Sequence, residues 1–260
     1  MRSREAVTTA APDPYGVMAR YYDANFASLR GGADIAFYRE LAVASRGPVL
    51  ELGAGSGRVL LPIAATGIPV TGLDVSAAML ARLRSRPFPP TLRLVNAPMQ
   101  DFDLDEDRFT LIYSAFRALQ HLLSVEDQLA CLACVRRHLA PGGAFAFDVL
   151  APTLGYLARP SPVESDEGSF ELEGDTVMRR SKLEYDLARQ LIQGTVRYER
   201  TRDGKVVAVE EAPLTLRYYF RYELEHLLAR AGFTRVEFFG GFDRRPYDYV
   251  SSETVVVARL

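Results

Sequence analysis

One run, Val49-Leu50-Glu51-Leu52-Gly53-Ala54-Gly55-Ser56-Gly57-Arg58, constrains this chain more than any other segment. A short apolar strand breaks into three glycines at alternate positions, and an apolar helical stretch follows. A second apolar run, Pro69 to Leu73, ends on Asp74, about twenty residues after the loop begins. A strand, a glycine loop and a helix followed by an acid at that distance form a nucleoside-binding layout. Glycine lets the backbone approach a ligand where a Cβ would collide, and the acid accepts hydrogen bonds from ribose hydroxyls.

The rest of the first 150 residues repeats the alternation. Helices are expected over Tyr15–Ser28 and Ala33–Ala44, with Gly31-Gly32 between them, and Gly47-Pro48 precedes a strand at about 48–53. The helix after the glycines should run to about Ala65 and end at Gly67. A strand at 69–74 leads to a helix over Ala77–Arg84 with Ser76 as N-cap. Strands at 91–96 and 109–114, a helix at 125–138 and a strand over Ala144–Leu150 complete the series. Five strands alternating with helices predict an α/β, doubly wound parallel sheet.

The pattern changes after Leu150. Residues 151–168 read as a Pro/Ser/acid-rich loop, and 170–217 as about four antiparallel strands, with Asp203-Gly204 as a hairpin turn. A helix over Tyr222–Ala231 and strands at 234–239 and 253–259 close the chain. The expected organisation is a tail at 1–14, a domain formed by 15–150 and 218–260, and a β insertion at 151–217.

Of the 260 residues, 48% are hydrophobic, enough for one large core. The formal net charge is -2, which gives no electrostatic case for nucleic acid or an anionic membrane. No apolar run approaches the roughly 18 residues of a spanning helix. Met1 to Pro14 carries Arg2 and Arg4 without an apolar stretch, so it does not read as a secretory leader, and a cytoplasmic address is expected. Cys131, Cys134 and His138 share one face of a helix. Without a second cysteine pair they read as core residues rather than a metal site.

The loop itself discriminates between nucleosides. A dinucleotide site wants a glycine three positions after its second glycine, and here Arg58 follows Gly57 directly. Glu51 would repel a pyrophosphate but can reach a cationic amino group. Both details favour S-adenosylmethionine over NAD. With Gly72-Leu73-Asp74-Val75-Ser76, Met79-Leu80 and Leu139-Ala140-Pro141-Gly142-Gly143, the loop makes the chain resemble the class I S-adenosylmethionine-dependent methyltransferases over about residues 48–150, in particular small-molecule enzymes such as amino-sugar and secondary-metabolite N- or O-methyltransferases.

That resemblance implies a Rossmann-like sheet of seven strands, the last antiparallel. It implies that Glu51 and the loop Gly53, Ala54, Gly55 and Gly57 cradle the methionine part, that Asp74 and the adjoining Val75 meet the ribose, and that Met79 packs on adenine. Relatives often carry an acid after the third strand where this chain has Pro98, which leaves Met99, Gln100 or Asp101 for the adenine contact. Arg20-Tyr21-Tyr22-Asp23 resembles a segment that covers the donor, which implies Tyr22 near the sulfonium, with plain aromatic packing as the alternative. The insertion resembles those that cover the acceptor pocket or build a homodimer.

Strand ends in such sheets face the ligand crevice, so Ser114, Ala115 and Phe116 should line the donor, with Phe116 and Arg117 toward a small-molecule acceptor. His121 is the candidate base, because histidine titrates near neutrality, with a structural histidine as the alternative. His226 reads as structural. In the loop between the last two strands, Arg244, Arg245 and Tyr247 are candidate acceptor contacts. The expected activity is methyl transfer by in-line displacement to an amine or hydroxyl. An NAD-type oxidoreductase and a non-catalytic cofactor-binding module are the alternatives.

Overall fold

The computed structural model describes residues 15–26, 32–105 and 108–260, with the side chain of Tyr156 excepted. The expected tail at 1–14 and the Gly31 end of the first helical break lie outside the described residues.

Seven strands form the main sheet: β1 (Val49–Leu52), β2 (Val70–Asp74), β3 (Leu92–Asn96), β4 (Phe109–Ser114), β5 (Leu139–Leu150), β10 (Arg235–Phe239) and β11 (Glu253–Arg259), in the order β10-β11-β5-β4-β1-β2-β3. β1 to β5 pair in parallel, whereas β11 runs antiparallel to both β5 and β10. β1 and β2 are buried at every position, as expected of parallel strands covered on both faces.

Alternation along the strands sorts the core into two layers. Leu50, Leu52, Ile112, Phe145, Phe147 and Val256 face the side covered by α5 (Val125–His138) and α7 (Arg221–Arg230). Val49, Leu111, Tyr113, Ala144, Ala146 and Val255 face α2 (Ala33–Ser45), α3 (Leu60–Ala64) and α4 (Ala77–Arg84). In β5 the large Phe side chains serve one layer and the small Ala side chains the other.

Caps mark the helix starts. Ser76 accepts the Met79 N–H at 3.1 Å and Ser124 the Asp127 N–H at 3.0 Å. In α5, Glu126 and Asp127 lie in the first turn and Arg136 and Arg137 in the last, opposing the helix dipole at both ends. α3 is five residues long and ends at Ala64 with Ala65 as its C-cap, at the expected end. Cys131 and Cys134 are buried in the α5 layer. His138 accepts the Leu104 N–H at 3.1 Å through Nε2, and its Nδ1 lies 2.8 Å from the Cys134 carbonyl oxygen.

The insertion is a second, antiparallel sheet of four strands in sequence order: β6 (Val163–Leu172), β7 (Asp175–Asp186), β8 (Leu191–Arg202) and β9 (Lys205–Arg217). It starts earlier than its sequence suggests. The stretch expected as a loop at 151–168 holds a short helix, α6 (Leu154–Leu157), and the first part of β6. The acids of β6 and Ser169 are exposed positions, so composition there reports solvent contact rather than the absence of a strand.

Helix α1 (Gly16–Phe26) packs under this sheet. Tyr21 stacks on Tyr198 with ring centroids 4.2 Å apart, and its hydroxyl bonds Glu210. Gln120, fully buried, ties the insertion to its base. It accepts the Leu150 N–H at 2.8 Å where the chain leaves the main sheet, and donates to the Arg217 carbonyl at 2.6 Å where it returns.

Candidate active site

A cavity of about 590 Å³ opens above the ends of β1, β2 and β4, between the glycine loop, α1 and the inserted sheet. Its size is in the range of pockets that hold small ligands. The loop is shaped by its glycines. Gly53 has φ 76°, and a Cβ there would sit 2.6 Å from the Ala118 Cβ. Gly57, at φ 87°, lies behind the loop, where a Cβ would overlap the Leu83 side chain. Gly57 therefore lets α4 approach and is not among the residues that line the cavity.

Two acids sit beside the loop. Asp74, at the end of β2, accepts the Gly55 N–H at 2.7 Å and the Ser76 N–H at 2.8 Å, which couples the two loops that border the cavity. Glu51 is buried on the Tyr113 side of the sheet, and the Tyr113 hydroxyl donates to it at 2.8 Å. Burial raises the Glu51 carboxyl from its ordinary 4.5 to about 8, against the opposing pull of the Tyr113 hydrogen bond and of Arg58. Such a carboxyl is primed to ionise when a cation arrives beside it.

Arg58 is the residue that sequence reasoning missed. It appeared only as the departure from a dinucleotide pattern. In the fold it lines the cavity, pairs with the fully buried Asp34 at 2.5 Å and lies over the Phe116 ring at 5.0 Å. Its partner lies 24 positions earlier, on α2, so no local signal announced the pair.

Helix α1 closes one side. Tyr22, Phe26 and Phe116 meet edge to face, with Phe26 and Phe116 centroids 4.9 Å apart. Burial holds the Tyr22 hydroxyl far above the usual phenol range, so it stays protonated. Asp23 anchors the helix to the glycine loop and to α4, bonding Ser56 Oγ at 2.5 Å and Arg82 Nε at 2.6 Å.

After β4 the chain turns through two consecutive left-handed residues, Phe116 at φ 56° and Arg117 at φ 64°. This is uncommon for side-chain-bearing residues and is held in place by its surroundings. The buried Asp148 accepts the Phe116 N–H and the Tyr38 hydroxyl, each at 2.8 Å. Arg117 pairs with Glu253 at 2.6 Å across the cavity wall. His121 stands edge-on to Tyr15, centroids 5.2 Å apart, and desolvation lowers it to about 4, so the ring is neutral.

Of the residues singled out in the sequence, Tyr22, Glu51, Gly53, Ala54, Gly55, Asp74, Val75, Met79, Met99, Gln100, Ala115, Phe116, Arg117 and His121 all line this one cavity, together with Pro98. Ser114 is buried behind it and Asp101 is exposed beside it. Arg244 and Tyr247 are not in the lining. Arg244 pairs with Glu40 at 2.9 Å and rests on the Phe37 ring, on the outer side of α2. Arg245 forms an exposed pair with Asp243, and His226 is exposed on α7. The loop carrying Arg244 and Tyr247 folds back on itself through a bridge between Phe239 and Pro246, which holds it away from the cavity.

Comparison with known proteins bears on the family and the fold. Residues 49–143 match a family model described as a methyltransferase domain. An uncharacterized methyltransferase of Synechocystis, sll0829, is 30% identical over 151 residues, which cover 56% of this chain and 69% of that protein. The structure of the CcbJ methyltransferase from Streptomyces caelestis aligns with a TM-score of 0.79 at 29% identity, over 96% of this chain and 99% of that one. The fold is also that of CalS10, a SAM-bound amino pentose methyltransferase from Micromonospora echinaspora, with a TM-score of 0.72 at 22% identity over 99% of this chain and 100% of that one.

Proposed function

This chain belongs to the methyltransferases, and from that membership we propose that it moves a methyl group from S-adenosylmethionine to an amine of a small metabolite. The observation that carries the proposal is that Glu51, the glycine loop, Asp74 and the inner side of the insertion all line a single cavity. The residues fit the donor. Gly53 and Gly55 leave the floor bare of side chains, Asp74 borders it with a carboxylate, Met79 and Met99 offer apolar surface, and the buried Glu51 awaits a cation.

When bound, S-adenosylmethionine supplies an electrophilic methyl on a sulfonium. Glu51 ionises against the donor's amino group. Asp74 accepts hydrogen bonds from the ribose hydroxyls while keeping its backbone partners. Met79, Met99 and Gln100 bound the adenine, taking over where Pro98 replaces an acid. Tyr22, Phe26 and Phe116 exclude water and hold the acceptor in line, which is the main contribution a displacement of this kind needs from a protein.

An amine is favoured over a hydroxyl because of the proton. A neutral amine attacks without a base, whereas a hydroxyl must lose its proton early. Of the two candidate bases, His121 is weakly basic at about 4 and Tyr22 remains protonated, while the lining carboxylates Glu51, Asp74, Glu167 and Glu253 are already held by Tyr113, the Gly55 and Ser76 N–H groups, Arg179 and Arg117. The acceptor's ammonium form gives one proton to solvent before transfer, and as the sulfonium's methyl bond breaks the new nitrogen–carbon bond leaves the product as an ammonium ion.

Thermal shift with S-adenosylhomocysteine and with NAD tests the cofactor. A ligand at 100 times its dissociation constant should stabilise the protein by ~2.7 kcal/mol. A shift with NAD alone would overturn the reading. Transfer of labelled methyl to a panel of amines and matched alcohols tests the acceptor. Labelling of the amines is expected, labelling of the alcohols alone would refute amine transfer, and cofactor binding without any labelling would favour a non-catalytic module.

A further inference from the structure

The end of the cavity farthest from the glycine loop has an aliphatic wall. Leu183 on β7, Ile192 on β8, and Leu214 and Leu216 on β9 line it, joined by Leu150 from the end of β5. Register makes them neighbours: Ile192 pairs with Leu216, and Gly194 pairs with Leu183 on one side and Leu214 on the other. With a period of two, all of these positions share one face of the sheet. Gly194, between Leu183 and Leu214, admits no side chain, because a Cβ there would overlap the Lys182 carbonyl oxygen of the neighbouring strand.

The charges that border this end are already matched. Arg179 meets Glu167 at 2.6 Å, Arg117 meets Glu253 at 2.6 Å, and at the donor end Arg58 meets Asp34 at 2.5 Å. Ser181 Oγ donates to Glu167 at 2.6 Å and fixes the first pair. Among the described residues that line the cavity, each arginine thus faces a carboxylate, and Glu51 and Asp74 add further acids. Phosphate recognition calls for arginine forks or backbone N–H clusters with charge to spare. Bringing a phosphate here would desolvate it against carboxylates.

Resting on the methyltransferase reading above, we propose that the acceptor is an amine carried on an uncharged, largely hydrocarbon body, and that the aliphatic face of the inserted sheet selects it while the paired arginines exclude acceptors bearing phosphate. The hydrocarbon part lies on Leu183, Ile192, Leu214 and Leu216. The amine faces Phe116 and Tyr22, and the two ion pairs offer hydrogen bonds to polar substituents at the rim.

The test is calorimetric titration of the protein saturated with S-adenosylhomocysteine. The probes are n-butylamine, n-hexylamine and n-octylamine, with thymidine 5′-diphosphate as the phosphate-bearing competitor. Affinity should rise roughly fourfold for each methylene that becomes buried, and the diphosphate should not displace the amine. Leu214→Asp should abolish the chain-length dependence and leave S-adenosylhomocysteine affinity unchanged. Should that variant fail to fold, Leu216→Ala should weaken n-octylamine binding by roughly tenfold or more. Competition by the diphosphate, or affinity independent of chain length, overturns the proposal while the methyltransferase reading stands. Failure of the wild-type protein to bind S-adenosylhomocysteine overturns both.

Discussion

The donor end and the acceptor end of the cavity share walls but not chemistry. At the donor end the polar groups are Glu51, the backbone of Gly53 and Gly55, Asp74 and the paired Arg58, contributed by the ends of two adjacent parallel strands and the glycine segment after the first. At the acceptor end the lining runs from Leu150 to Glu253 in sequence and is mostly aliphatic, with its charges consumed in pairs. On the proposed reading, the first end would recognise a fixed cofactor through charges and backbone, and the second would recognise shape and apolar surface, which a change of a few side chains can retune. Substitutions at one end should therefore leave ligand binding at the other nearly intact.

Asp74→Ala should have the largest effect. It removes the ribose acceptor and leaves the Gly55 and Ser76 N–H groups without their carboxylate. Loss of two charge-assisted contacts should weaken S-adenosylhomocysteine by roughly 100-fold, measured by calorimetry, and an unchanged affinity would remove Asp74 from the ribose.

Glu51→Gln sharpens the contrast through pH. The folded-state carboxyl titrates near 8 against an ordinary 4.5, so the folded protein binds this proton more tightly than the unfolded chain does. Its contribution to stability is therefore greatest below about 4.5 and declines as pH rises toward 8. The variant lacks this loss, so its melting temperature relative to wild type should climb between pH 5 and pH 8. Wild-type affinity for S-adenosylhomocysteine should rise over the upper part of that window as Glu51 ionises. The variant's affinity should be flat and about tenfold weaker at pH 8. Parallel profiles would show that Glu51 does not meet the ligand's amino group.

Asp148→Ala probes the boundary between the two ends. Without its acceptor, the buried Phe116 N–H is left unsatisfied and the left-handed pair Phe116–Arg117 relaxes. Acceptor KM should rise about tenfold with donor affinity within about threefold, and Asp148→Asn should recover most of the loss. A donor defect larger than the acceptor defect would show that this turn serves the cofactor instead.

Arg244→Ala should do least. Its pair with Glu40 is exposed, and such pairs contribute about 0–1 kcal/mol. Acceptor KM measured beside wild type should differ by less than about twofold; a larger change would bring the loop of the last two strands back into the site.

Much of the donor end was readable in advance because its signals are local. Glycines at alternate positions, an acid two residues before them and another at the end of the next strand lie in two short windows, and the βα alternation fixes which loops meet. The partners that tune those groups were not readable. Asp34 reaches Arg58 from another helix, Tyr113 reaches Glu51 from the neighbouring strand, and Asp148 holds Phe116 from β5. Each pair is separated by 24 to 62 positions, and no spacing rule connects them. The expectation for Arg244 and Tyr247 went elsewhere for a similar reason: a loop's place in sequence order says which sheet edge it leaves, not whether it folds inward.

By itself the sequence determined the parallel sheet, the glycine loop with its two acids, and the existence of an antiparallel insertion, since periodicity, glycine placement and turn residues act over a few positions. Only the tertiary structure decided what lies opposite the donor. The register of β7, β8 and β9 brings Leu183, Ile192, Leu214 and Leu216 onto one face and turns that face toward the cavity. Burial, which depends on the whole fold, then raises Glu51 and lowers His121, because the cost of a charge depends on the surroundings that replace water rather than on the identity of the residue.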